Sequence, residues 1–205
     1  MVILIFGTSI TYGASDIESG WVQRLRKFLD EKTLSNQGYF EVYNLGISGD
    51  NTEDLLKRFE QETKHRLDEK EETVFIFEIG TNDSQFVYSQ NSSRVPLEKF
   101  KGNIQALINI AKRFSPKIIF IGLAPVDETK TTPIPWNTDK SYKNEYIRKY
   151  DDLIKEACEE NKIGYVETFS KLTYSDLEDG LHPNSQGHQK IFEIVKEFLI
   201  INKII

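Results

Sequence analysis

The chain of 205 residues carries 32 acidic and 26 basic side chains, a formal net charge of −6 at pH 7, with 39% hydrophobic residues. That length buries a substantial core and favours one domain over residues 1–205, while the negative balance sets aside nucleic-acid phosphates and an anionic membrane surface as partners. The one cysteine, Cys158, excludes an intramolecular disulfide, and no Cys/His cluster has metal-ligand spacing, so no metal is expected.

Met1 stands directly on the first apolar run, without a basic segment or a small-residue cleavage site, and that run is far too short to cross a bilayer; a soluble, cytoplasmic protein is expected. Short apolar runs then alternate with longer segments of helical period, the pattern of βα units on a parallel sheet. Strands are predicted at Val2–Phe6, Glu41–Leu45, Val74–Ile79, Lys117–Leu123 and Ile163–Val166. Between the first two, Ser15-Asp-Ile-Glu18 has capping-box spacing, followed by Trp21, Leu25, Phe28 and Leu29 on one helical face. A weaker helix starts at Thr52 and ends in the charge run KHRLDEKEE, read as a solvated connection. Stripes follow at Phe100, Ile104, Leu107, Ile108, Ala111 and Phe114, then at Tyr146, Tyr150, Leu153, Ile154 and Ala157, and last at Ile191, Phe192, Val195, Phe198 and Leu199. Ser84–Val95 and Ala124–Lys140 fit no element, and loops this long tend to carry function.

Four polar, glycine-bearing turns stand at strand ends or before the last helix. Gly7-Thr8-Ser9 follows the first strand, Gly46-Ile-Ser-Gly49-Asp-Asn the second, and Gly80-Thr-Asn82-Asp83 the third; Asp179-Gly-Leu-His182-Pro-Asn184 precedes the last helix. By itself Ser9 reads more readily as a turn or cap residue than as a nucleophile or a phosphate ligand. Together the four turns contain what acyl transfer needs. A serine hydroxyl requires a base, most often histidine, oriented by a carboxylate, and His182 with Asp179 three residues earlier can supply both. The Ser9 and Gly49 amides and the Asn82 side chain can supply oxyanion donors. The glycines also read simply as tight turns.

FGTSIT, NLGISGDNT, IGTND and DGLHPN resemble, in order and over nearly the whole chain, the four sequence blocks of the GDSL-type SGNH hydrolases. The resemblance implies a three-layer α/β/α sandwich, flavodoxin-like, whose five-stranded parallel sheet has the order 2-1-3-4-5. It also implies that Ser9 is the nucleophile, His182 the base and Asp179 its orienting acid, with Ser9, Gly49 and Asn82 forming the oxyanion hole. Two positions depart from the pattern, Thr8 where the family has aspartate and Ile10 where it has leucine. Thr8 can still bond a local amide, so the turn is expected to survive.

The expected activity is a serine ester hydrolase acting on a small soluble acyl or acetyl ester, without a cofactor. Thioesterase or lysophospholipase activity on the same site is an alternative. A non-catalytic flavodoxin-like binder, holding a flavin phosphate on Gly7–Thr11, is the alternative from another class. His65 and His188 read as surface residues, Cys158 as a small core residue, and Glu78 as a possible buried carboxylate without an assigned role. Phe86, Tyr88, Trp136 and Tyr142 either line an acyl or sugar pocket or pin the long loops to the body.

Overall fold

The computed structural model describes residues 1–68 and 70–205; Glu69, inside the charge run 64–72, lies outside the described residues. The elements run β1 (Val2–Gly7), α1 (Ser9–Tyr12), α2 (Gly20–Leu34), β2 (Glu41–Gly46), α3 (Thr52–Lys64), β3 (Thr73–Glu78), β4 (Phe86–Val87), β5 (Ser92–Ser93), α4 (Leu97–Lys112), β6 (Ile118–Ile121), α5 (Glu128–Thr131), β7 (Lys140–Ser141), α6 (Asn144–Asn161), β8 (Gly164–Val166) and α7 (Ser185–Ile201).

Alternation along β1 decides which layer each side chain joins, because successive residues of a strand point to opposite faces. Val2, Leu4 and Phe6 pack with Leu55 and Phe59 of α3, Phe100 and Ile104 of α4 and Tyr150 of α6. Ile3 and Ile5 pack on the other face with Trp21, Leu25 and Leu29 of α2 and Ile191 and Val195 of α7. Both faces being covered, the central strands can be apolar throughout, and all six residues of β1 and of β3 are buried. The first face is rich in phenylalanine, with the Phe6 and Phe59 rings 4.8 Å apart and edge-to-face, a preferred aromatic geometry.

The main sheet is parallel with the order β2-β1-β3-β6-β8. Counting only its own strands, this is 2-1-3-4-5, the order expected from the resemblance. The direction of winding reverses between β1 and its neighbour β3, and the carboxyl ends of these strands frame the crevice where such folds hold ligands.

The two segments without a predicted element supply a second sheet, three-stranded and antiparallel, in the order β5-β4-β7. Its strands have two residues each, too few for an alternation pattern to register.

The start of α2 differs from the expected Ser15–Glu18 capping box. The helix begins at Gly20, and Ser15 and Ser19 adopt positive φ of 67° and 61°. Asp16 takes over the capping work, accepting from the backbone N–H of Glu18 at 3.2 Å and of Gly20 at 3.0 Å and pairing with Arg24. Burial raises the Asp16 pKa, but the bonds from Arg24 and the backbone prevail and lower it to about 2. Cys158 is buried, as expected of a core thiol, and burial pushes it up to about 12.

Candidate active site

Gly7 ends β1, and Thr8 turns the chain so that Ser9 opens α1. Thr8 is the N-cap, with Oγ1 accepting from the Ile10 N–H at 3.3 Å. Beneath this turn sits Glu78, the last residue of β3 and 3% exposed. Its Oε2 accepts from the hydroxyls of Thr11 at 2.8 Å and Thr8 at 3.3 Å. Burial pushes its pKa up to about 7, the two threonines offsetting part of the rise. These contacts also decide against phosphate binding at this turn. The hydroxyls that would hold a flavin phosphate point inward to a carboxyl group.

Ser9 Oγ lies 2.9 Å from His182 Nε2, and His182 Nδ1 lies 2.7 Å from Asp179 Oδ2. The second Asp179 oxygen accepts from the backbone N–H of Leu181 at 2.9 Å and of His182 at 2.8 Å. Burial of Asp179 raises its pKa, yet these bonds outweigh it and hold the carboxyl at about 2. A carboxylate so fixed places the hydrogen on Nδ1 and leaves Nε2 free to accept from serine. Gly180, in the left-handed region at φ 90°, allows the tight turn, and its carbonyl accepts from the Asp127 N–H at 2.8 Å. Asn184 then caps α7 through the N–H groups of Gln186 and Gly187.

β2 approaches the Ser9 turn closely. The Ile47 N–H donates to the Gly7 carbonyl at 3.0 Å, and a Cβ at Gly46 would sit 2.4 Å from the Tyr12 nitrogen. Gly46 is therefore required by proximity. Gly49 is required for a different reason, its φ of 87°, since a Cβ there would meet nothing within 4 Å. Among the described residues, neither the Ser9 nor the Gly49 N–H donates to a protein acceptor. Asn82 Nδ2 donates to the Asp50 carbonyl at 2.8 Å, beside Gly49, whose own carbonyl accepts from Arg94 Nη1 at 2.9 Å. One edge of the sheet thus carries a hydroxyl hydrogen-bonded to an imidazole, a carboxylate behind it, and free amide donors on the neighbouring turn.

Asp83 carries polar order deeper. Its carboxylate accepts from the Thr52 N–H at 3.0 Å and from the Thr52 hydroxyl, fixing the first turn of α3. Burial raises its pKa to about 6. Glu78 is buried, as its place in an apolar strand suggested; what gave no signal was the partners of Glu78, Arg94 and Asp83, which lie 30 to 70 positions away. Tyr142 stood among the loop aromatics; it is 3% exposed and donates to Asn82 Oδ1 at 2.7 Å.

His65 is exposed, as expected. His188 departs from its surface reading, for it is fully buried. It lies in the first turn of α7, directly behind the His182 turn, and faces the loop before α2, with Nε2 3.3 Å from the Ala14 carbonyl. Burial lowers its pKa, favouring the neutral ring.

Among the described residues, no group of three or more His, Cys, Asp or Glu is arranged to hold a metal ion, and no helix is long and apolar enough to cross a membrane.

The chain is 26% identical over 210 residues to the GDSL esterase/lipase CPRD49 of Arabidopsis thaliana, covering 95% of this chain and 78% of that protein. It is also 26% identical over 220 residues to the isoamyl acetate-hydrolyzing esterase of Saccharomyces cerevisiae, covering 95% and 86%. Its fold is that of Axe2, an acetylxylan esterase from Geobacillus stearothermophilus, with a TM-score of 0.74, 20% identity, and coverage of 97% of this chain and 93% of that one. The GDSL-like Lipase/Acylhydrolase family pattern matches residues 5–190. This chain, with its serine on the β1 turn and its histidine before the last helix, belongs to that family.

Proposed function

We propose that residues 1–205 act as one catalytic domain that hydrolyses a carboxylic ester through an acyl-enzyme, with Ser9 as nucleophile. The observation that carries the reading is the continuous hydrogen-bond chain Ser9 Oγ to His182 Nε2 at 2.9 Å and His182 Nδ1 to Asp179 at 2.7 Å. As Oγ attacks the ester carbonyl, His182 takes its proton, and Asp179 stabilises the imidazolium that forms. The tetrahedral oxygen accepts from the Ser9 and Gly49 amides and Asn82 Nδ2. His182 then protonates the leaving alcohol, and water releases the acid by the same route in reverse. These steps use only side-chain and backbone groups of this chain.

The preferred substrate is a small soluble acyl or acetyl ester. Supporting it, two relatives bear names that concern acetyl esters, isoamyl acetate for one and acetylxylan for the other. Tyr12 and Ile47, exposed beside the Ser9 turn, give a longer acyl chain an apolar contact. Hydrolysis of p-nitrophenyl acetate, butyrate and octanoate by wild type, Ser9→Ala and His182→Ala tests the assignment. Activity lost in both variants, with acetate turned over fastest by wild type, is the expected result. Activity persisting in Ser9→Ala overturns the site, and octanoate turned over fastest replaces the substrate class with longer acyl chains.

A further inference from the structure

Asn82 presents two ends of nearly equal size, an oxygen and an NH2 group, so packing alone does not choose which one faces the reacting carbonyl. Hydrogen bonding must choose. The Asp50 carbonyl accepts from Nδ2 at 2.8 Å, and the Tyr142 hydroxyl donates to Oδ1 at 2.7 Å. A flipped amide would set its oxygen against the Asp50 carbonyl and strip the buried Tyr142 hydroxyl of its acceptor, and each such loss is costly inside a protein.

Tyr142 is itself held rigidly. Its backbone N–H donates to the Thr131 carbonyl at 3.0 Å, and its carbonyl accepts from the hydroxyls of Thr131 and Thr132, each at 3.0 Å. The ring is buried in the phenylalanine-rich core layer. Burial keeps the phenol protonated far above neutrality, a rise only partly offset by the charge of Arg94 and hydrogen bonding from Gln85, so a hydrogen is always present for Asn82. Donation to Oδ1 also draws charge through the amide and makes its NH2 group a stronger donor.

We propose that Tyr142 is a positioning residue for ester hydrolysis, locking and polarising the Asn82 amide so that NH2, and never oxygen, meets the oxyanion. This rests on the reading of Asn82 as an oxyanion donor. The residue comes from the segment between α5 and α6, outside the four sequence blocks, so it ties that segment to the chemistry.

The test is a double-mutant cycle on p-nitrophenyl acetate with Tyr142→Phe, Asn82→Ala and the pair, each with its thermal midpoint. Tyr142→Phe keeps the ring and removes only the oxygen. The expected result is a fall in kcat of about 10-fold at unchanged KM in Tyr142→Phe, about 100-fold or more in Asn82→Ala, and no further fall in the pair. A merely structural tyrosine would lower the thermal midpoint and leave kcat in place, and that result overturns the proposal. Multiplying effects in the pair overturn it too, since Tyr142 would then act without Asn82. Unchanged kcat in Asn82→Ala removes the oxyanion role of Asn82, whereas a fall in Asn82→Ala alone leaves that role standing and removes only the role of Tyr142. Should Tyr142→Phe unfold, affinity for an alkyl boronic acid in Tyr142→Trp, which retains a ring N–H donor, replaces it: a loss confined to the boronic acid, with binding of the product carboxylate unchanged, supports the lock, and equal losses for both refute it.

Discussion

Two carboxyl groups flank the Ser9 turn, and the structure treats them in opposite ways. Asp179, behind His182, takes two backbone N–H groups and an imidazole and is held at about 2; Glu78, beneath the turn, takes two hydroxyls and is pushed up to about 7. Both are desolvated. Backbone N–H groups and an ionisable ring outweigh that penalty at half-buried Asp179, while the hydrogen bonds from Thr8 and Thr11 do not outweigh full burial at Glu78. Charge is thus kept behind the His182 ring and is suppressed beneath the turn.

The sharpest break in this comparison is the same amide-for-acid exchange at each site. Asp179→Asn keeps the side-chain shape but cannot hold the histidine tautomer, and kcat on p-nitrophenyl acetate is expected to fall about 10⁴-fold. Glu78→Gln at the same pH is expected to stay within about threefold of wild type. A large loss in Glu78→Gln would mean that its ionised form acts on Ser9.

Thr8→Asp, which restores the family's usual residue, puts a second carboxylate 3.3 Å or so from the first. At pH 5 the two carboxyls share a proton and tolerate each other; at pH 8 the pair must either keep that proton against solution or hold two adjacent charges, and unfolding by urea is expected to show a loss on the order of 3 kcal/mol. Equal losses at both pH values would show that Glu78 carries no such proton.

Glu78 also leaves a mark on stability. Its folded pKa lies above the unfolded value, so its contribution is complete below the ordinary glutamate range near 4.5, is lost as pH rises toward 7 and is flat beyond. Glu78→Gln should therefore gain roughly 3 kcal/mol at pH 8 and flatten the decline between. A residual slope remains from Asp83, raised to about 6 by the same kind of burial. Asp179 has the reverse sign, its contribution present above the ordinary aspartate range and lost only as pH falls toward 2. The smallest effect is the loss of the cap in Thr8→Ala, about 1 kcal/mol in thermal or urea unfolding.

The strands and the turns that carry Ser9, Asp179 and His182 were legible from short-range pattern: apolar runs, glycine-bearing polar turns, a three-residue spacing; the order of the sheet was implied only by the resemblance of the four sequence blocks. What was not legible depends on distant partners. Ser15 and Glu18 had the spacing of a capping box, but Asp16 won because Arg24 and the Gly20 N–H converge on it. His188 read as a surface residue at the start of the last helix, and it is buried because the loop before α2 covers it. The contact of Tyr142 with Asn82 required knowing that a segment 60 positions downstream folds back onto that turn.

Asp179 and His182 sit on one turn, three positions apart, whereas Ser9 meets His182 across 173 positions. On the proposed mechanism the base and its acid come preassembled on one local turn, and the nucleophile arrives from a segment 173 positions away. Turnover of a coloured ester then reports directly that these two segments have docked.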